Sequence, residues 1–209
     1  MCNNNSSWSA LYRHRRAAQA RFGDLYQLPL AKRASDVVMQ AARGAHTLLE
    51  VGAGDRRLAQ KIAQYSPDCT YRSLDIDPEG EHDYRSFAQL DRTFDCVVAL
   101  EVVEHLTLDE IRAWLADLYR ALGAGGTLVL STPNTYYPPA YLRDATHRTP
   151  LCYDELAGLL TAAGFEVTRI LRIYNDPVPR KILRRYLLGW LFRALGLDYA
   201  RQIVVVARK

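Results

Sequence analysis

The stretch LLEVGAGDRRLAQKIA, residues 48–63, constrains this chain more than any other. An apolar run is followed at once by a turn carrying Gly52 and Gly54, then by a segment of helical periodicity. Glycines there let backbone and ligand approach closely, and the helix beyond offers unpaired N–H groups. On its own the stretch fits several nucleotide-binding α/β folds, or a plain structural turn. The third glycine of a pyrophosphate-binding fingerprint is absent, with Arg56 in its place, which disfavours a dinucleotide site. Asp75, at the end of the next apolar run, is positioned to accept hydrogen bonds from both hydroxyls of an adenosine ribose. Asp77 nearby is a second, ambiguous candidate.

Short apolar runs alternating with longer mixed segments fill the rest of the chain. Residues 47–51, 71–76, 94–100, 127–131, 165–170 and 203–207 read as strands. The segments 56–65 and 108–122 read as helices, the second with Leu108, Ile111, Leu115, Leu118 and Leu122 on one face. Strands joined by such crossovers imply a mostly parallel sheet with helices on both faces. Gly123, Gly125 and Gly126 supply a helix stop and a turn, and Gly164 ends a helix over 153–163. Residues 1–43 form an N-terminal flank expected to be helical, with breaks near Gly23 and Pro29, and residues 44–209 form the domain proper.

With 209 residues the chain has room for one well-packed domain, and 49% hydrophobic against 24% charged residues is ordinary globular composition. A net charge of +4 neither demands nucleic acid nor excludes it. Cys2, Cys69, Cys96 and Cys152 are scattered without zinc-site or disulfide-framework spacing. The first residues lack a basic leader followed by an apolar run, and no apolar run approaches the roughly 20 residues that span a bilayer. A cytoplasmic protein is the expectation, with contact at the inner face of a membrane left open.

The order of motifs resembles the class I S-adenosylmethionine-dependent methyltransferases over about residues 45–170. EVGAG, residues 50–54, looks like their first motif and LDIDP, residues 74–78, like the acidic one that follows. FDCVVALEVVEHL (94–106), LYRALGAGGTLVLSTPN (118–134) and LAGLLTAAGFEV (156–167) resemble the fourth strand and its loop, the fifth strand with its preceding turn, and the last helix. Arg56, where many relatives carry glycine, is the departure. The resemblance implies a Rossmann-like, seven-stranded, mostly parallel sheet with a C-terminal antiparallel hairpin. It also implies that Glu50, Gly52 and Gly54 surround the methionine part of the cofactor, Asp75 the ribose, and the backbone at Leu100 and Glu101 the sulfonium. Asp83 is implied near the adenine edge.

Ligands collect at the C-terminal edge of such a sheet, and Glu101, Glu104 and His105 sit there with i, i+3, i+4 spacing. His147, after a Pro-rich loop, can close the set. Two carboxylates and two imidazoles suit a divalent ion such as Mg²⁺ or Mn²⁺; equally, Glu101 can meet ligand directly, Glu104 can be a surface charge and His105 a packed residue. The ExxEH pattern with a later His resembles small-RNA 2′-O-methyltransferases, where such residues hold an ion beside a ribose diol. It also resembles ubiquinone-biosynthesis O-methyltransferases, which handle catechol-like substrates. Under this resemblance Glu101, Glu104, His105 and His147 are ligands; His105 or His147, if free, is a general base.

The loop over 133–150, with Tyr136, Tyr137 and Tyr141, is expected to wall the substrate site. Residues 179–197 read as a basic helix, with Leu183, Leu187, Trp190, Leu191, Ala194 and Leu195 on one side and Arg180, Lys181, Arg184, Arg185 and Arg193 on another. That pattern fits both a membrane-surface helix and one packed over the sheet. The expected activity is O-methylation of a small or lipid- or glycan-linked metabolite carrying a vicinal diol; RNA 2′-O-methylation, N- or C-methylation and a non-catalytic cofactor-binding role are the alternatives.

Overall fold

Alternation along the central strands builds two cores. In β2 (Thr47–Val51) Leu49 and Val51 point to one face and Leu48 to the other; in β4 (Phe94–Leu100) Val97 and Ala99 oppose Cys96 and Val98. Period-two burial on both faces is what a sheet covered on both sides requires. The computed structural model describes residues 8–209; Cys2 and the side chain of Trp8 lie outside the described residues.

One face is covered by α1 (Trp8–Phe22), α4 (Leu108–Ala121) and α6 (Tyr153–Ala162), the other by α2 (Ala34–Ala41) and α3 (Arg57–Tyr65). Helix α4 starts at a reciprocal capping box, Thr107 with Glu110, and buries Ile111, Leu115 and Leu118, each side chain contributing ~1.5–3 kcal/mol relative to exposure. Helices α1 and α6 approach closely because Gly158 has no side chain: a Cβ there would lie 3.2 Å from the Arg15 backbone nitrogen. Arg15 and Gln19 satisfy the buried Asp154 at 3.1 and 2.8 Å.

The remaining strands are β1 (Leu30–Ala31), β3 (Thr70–Leu74), β5 (Leu122–Pro133), β6 (Glu166–Ile173) and β7 (Gln202–Arg208). Together they form a seven-stranded sheet ordered β1-β6-β7-β5-β4-β2-β3. Only β7 runs antiparallel, between β5 and β6. The expected fold class is therefore the observed one. The flank, however, is not wholly helical: Leu30–Ala31 joins the sheet edge beside β6. The buried Arg172 side chain ties it there, donating to the Leu28 and Tyr26 carbonyls and pairing with Asp198 at 2.9 Å. Strand β3 stops at Leu74 rather than Ile76, because residues 75–84 turn back and the Asp75 N–H donates to the Tyr84 carbonyl.

The basic helix also departs from expectation. It is broken into α7 (Val178–Lys181), a π-helical stretch (Ile182–Leu187) and α8 (Gly189–Ala194). Most of its expected apolar face does not cover the sheet: Leu183, Leu187, Trp190 and Leu195 are exposed, and Leu191 is half-buried. A short loop over 134–137, helix α5 (Pro138–Leu142) and a turn over 143–150 connect β5 to α6. Strands β2, β4, β5 and β6 all end at the same edge of the sheet, where β7 begins.

Candidate functional site

The turn after β2 is held open by backbone geometry. Gly52 has φ +70°, and a Cβ there would drive into the Val102 side chain; Gly54 has φ +47°, and a Cβ there would meet nothing within 4 Å. That open space beside a helix start is a cradle for a close-lying ligand. Asp75 borders it, one carboxylate oxygen accepting from the Gly54 N–H at 2.8 Å and the other from the Asp77 N–H at 3.0 Å. Each oxygen keeps lone pairs for another donor. Arg56 adopts φ +58°, the left-handed region that favours glycine. Its side chain explains the departure: it donates to the Glu81 carbonyl at 3.0 Å and lies 3.9 Å from Asp83, tying the turn to the returning segment 75–84.

Glu50 lies behind the turn, 7% exposed, accepting a hydrogen bond from the Tyr71 hydroxyl. Burial raises its pKa to about 7 against the lowering effect of Tyr71. Asp83 is not at the cleft: it accepts from the Ser73 N–H at 2.8 Å, the Ser73 hydroxyl at 2.9 Å and Arg72 at 2.9 Å. Those bonds and the Arg72 charge outweigh desolvation and lower its pKa, so its visible work is to fasten segment 75–84 to β3. Of the residues expected at the site, Gly52, Asp75, Glu101 and His105 line an open cleft of about 1060 Å³. Ile76, Phe87, Leu90 and Trp114 give it an apolar wall. Ile76 is 85% exposed, an unusual state for isoleucine that no periodicity marks in the sequence.

At the other end of the cleft, Glu101 adopts φ +57°, a strained angle for a non-glycine residue, as β4 ends. Its N–H donates to the Ser131 hydroxyl at 3.0 Å, while its Oε1 accepts from that hydroxyl at 3.0 Å and from Gln202 Nε2 at 2.8 Å. Glu101 opens onto the cleft but stands among packed protein atoms, and that desolvation raises its pKa. A short 3₁₀ turn, Val103–His105, then turns Glu104 inward. Glu104 is fully buried and neither carboxylate oxygen has a hydrogen-bond partner among the described residues. Burial, then repulsion from Glu101, pushes its pKa up to about 8.

The turn over 143–150 brings His147 to this carboxylate, beside His105 of the 3₁₀ turn. Arg148 and Thr149 N–H groups donate to the Glu104 carbonyl at 2.7 and 3.1 Å, fixing the turn against the 3₁₀ segment. One ligand atom each from Glu104, His105 and His147 lies within 4.8 Å of the others. Both rings are oriented from behind. His147 Nδ1 sits 2.7 Å from the Tyr141 carbonyl, which can only accept, so Nδ1 carries the proton and Nε2 the lone pair. The Thr146 hydroxyl donates to Asp144 at 2.7 Å and therefore accepts from His105 Nδ1 at 2.9 Å, which again leaves Nε2 bare. Two bare imidazole nitrogens beside an unpartnered buried carboxylate fit a divalent cation. Glu101 stands outside this trio, bonded to Ser131 and Gln202, and Leu100 does not line the cleft.

Known proteins agree with the sheet. The sequence family described as a methyltransferase domain matches residues 12–170. An S-adenosylmethionine-dependent methyltransferase from Archaeoglobus fulgidus superposes with a TM-score of 0.63 at 18% identity, over 97% of this chain and 100% of that one. The 1,6-didemethyltoxoflavin-N1-methyltransferase of Burkholderia thailandensis, solved with bound 1,6-didemethyltoxoflavin and S-adenosylhomocysteine, gives 0.58 at 19% identity, over 100% and 92%. The N-methyltransferase NodS from Bradyrhizobium japonicum gives 0.57 at 15% identity, over 85% and 94%. No curated protein matches the chain by sequence. With residues 12–170, most of its length, matched by that family, the chain belongs to the S-adenosylmethionine-dependent methyltransferases.

Proposed function

We propose that the enzyme methylates one hydroxyl of a vicinal diol or catechol-like pair, with Glu104, His105 and His147 holding a divalent cation. The unpartnered, fully buried Glu104 carboxylate carries this reading, because an isolated buried charge costs several kcal/mol unless something compensates it. A donor set of two imidazoles and one carboxylate suits Mn²⁺ better than Mg²⁺, which prefers oxygen ligands. Bound there, the ion supplies Lewis acidity that lowers the pKa of a nearby hydroxyl.

The chain's own residues divide the remaining work. Gly52 and Gly54 admit the methionine portion of S-adenosylmethionine, whose positively charged sulfur carries the methyl group, with Glu50 behind them. Asp75 takes the ribose hydroxyls, and Ile76 and Phe87 offer apolar contact to the adenine. Glu101 Oε1 is occupied by Ser131 and Gln202, whereas Oε2 accepts no hydrogen bond among the described residues. With its raised pKa, Oε2 is suited to take the hydroxyl proton as the oxygen attacks the methyl carbon and the C–S bond's electron pair returns to sulfur. Glu101 is thus read as the base rather than a ligand. Acceptors of this kind include small catechols, glycans, lipid-linked diols and the terminal ribose of RNA.

Methyl transfer from labelled cofactor to catechols, glycans and short RNAs, with and without Mn²⁺, tests the reading. Activity on a diol substrate is expected to fall at least about 10³-fold on chelation and in Glu104→Gln, while S-adenosylhomocysteine affinity stays within about threefold. Full activity in chelator, or transfer to an amine only, overturns it.

A further inference from the structure

The excursion between β6 and β7 leaves apolar side chains in water that the catalytic reading does not use. Val178, Ile182 and Tyr186 recur at helical spacing, with Leu183, Leu187 and Trp190 in the adjoining row; their exposure runs from 47% at Leu183 to 69% at Tyr186 and Trp190. A contiguous apolar face left open on a folded protein marks a surface that something covers.

The charge of the same segment says what. From Pro177 to Leu197 the sequence contains no acidic residue. Arg180 and Arg184 share Asp176, but Lys181, Arg185 and Arg193 have no carboxylate partner among the described residues. Beneath the segment is a second cavity, of about 770 Å³, whose walls include Arg185, Tyr186, Trp190, Arg193 and Tyr26. Arg172, also in its wall, is already neutralised by Asp198. Uncompensated arginines beside tyrosine and tryptophan, with leucine and isoleucine alongside, are the composition of an element that lies in a headgroup layer.

We propose that residues 178–195 dock the enzyme on an anionic lipid bilayer, with Trp190, Leu187 and their neighbours entering the interface and Arg185 and Arg193 meeting headgroup phosphates. A second copy of the chain fits less well, because a twofold contact would set Arg185 and Arg193 against their own counterparts with no acid in the segment to pair them. RNA would use the arginines and leave the aliphatic side chains uncovered. The placement gives docking a use. Strand β6 ends at Ile173, at the edge of the sheet that carries the cleft, and the chain returns at Gln202, whose side chain bonds Glu101. A docked excursion holds that edge at the membrane, where a lipid-linked acceptor would present itself.

The test needs no methyl acceptor and is independent of the catalytic reading. The full chain is floated with phosphatidylcholine vesicles and with vesicles that also contain phosphatidylglycerol. Binding is expected on the anionic vesicles alone and should weaken as salt rises. Arg185→Gln with Arg193→Gln should weaken it about thirtyfold. Trp190→Ser with Leu187→Ser should abolish it, with S-adenosylhomocysteine affinity unchanged in both variants as the check on folding. Equal binding to neutral vesicles, no binding, or indifference to the arginine pair overturns the proposal. So does a concentration-dependent dimer removed by Trp190→Ser, or tighter binding of a short RNA than of anionic vesicles.

Discussion

Behind each end of the cleft lies a buried glutamate, and the two are treated differently. Glu50, behind the cofactor turn, accepts a hydrogen bond from Tyr71; the Glu104 carboxylate, at the other end, accepts none among the described residues. Both are held above the usual carboxylate range by burial, at about 7 and about 8. A partner inside the chain makes the first end a finished scaffold for a ligand recognised by shape and hydrogen bonds. Under the proposed reading, the lack of one makes the second a place whose charge a bound cation completes. Perturbed carboxylates gather at functional sites, and the difference in partnering separates their roles.

If the cofactor end is a finished scaffold, damage there should act on S-adenosylmethionine binding alone. Asp75→Ala removes a carboxylate whose two oxygens already brace Gly54 and Asp77, so turn and ribose contact go together. The expected loss of S-adenosylhomocysteine affinity is about 100-fold by calorimetry, from roughly two charge-assisted hydrogen bonds, with Asp75→Asn about tenfold. Manganese binding at the other end should not change. Unaltered cofactor affinity in Asp75→Ala would remove the ribose assignment, and a parallel loss of metal would merge the two ends into one unit.

Manganese affinity probes the substrate end in the same way. Thr146 stands between Asp144 and His105 Nδ1, and Thr146→Val deletes the group that fixes that ring's tautomer. Loss of such an outer partner weakens metal binding about 10- to 100-fold, and the lower figure is expected because His147 keeps its own bond to the Tyr141 carbonyl. Metal titration on the variant reads the effect directly; affinity equal to the parent would mean that the cluster holds no ion through His105.

The same contrast governs what could be read before the fold was known. The cofactor end is local: strand, glycine turn and helix follow one another within residues 48–63, and Asp75 ends the next strand. Period-two burial in β2 and β4 and the capping box of α4 are likewise written in neighbouring residues. The substrate end is assembled from Glu101–His105, Asp144–His147 and Gln202, which only the sheet brings together. Residue type alone could nominate Glu104, His105 and His147. It could not show that Glu101 turns to Ser131 and Gln202, or that Thr146 and Asp144 orient His105. Asp83 was expected near adenine from its place in the motif order, but a local bond to Ser73 claims it. The edge strand Leu30–Ala31 is too short for periodicity to reveal and depends on Arg172 far along the chain.

The smallest effect concerns stability and asks whether the Tyr71 bond really completes Glu50. A carboxyl group whose pKa is higher in the folded protein than in the unfolded chain keeps its proton in the native state after the unfolded state has released it. Between pH ~5 and ~7 the native state therefore binds more protons, and stability falls as pH rises through that window. Glu104 should extend the fall towards pH 8 when no metal is present. Unfolding free energies from denaturant titrations in chelator at pH 5 and pH 8 are expected to differ by about 1–2 kcal/mol more in the parent than in Glu50→Gln, which cannot ionise. An identical pH slope in the two proteins would mean that Tyr71 and the nearby Arg56 already balance the Glu50 charge in the absence of ligand. The two buried glutamates would then differ in kind, with only Glu104 left for a cation to satisfy.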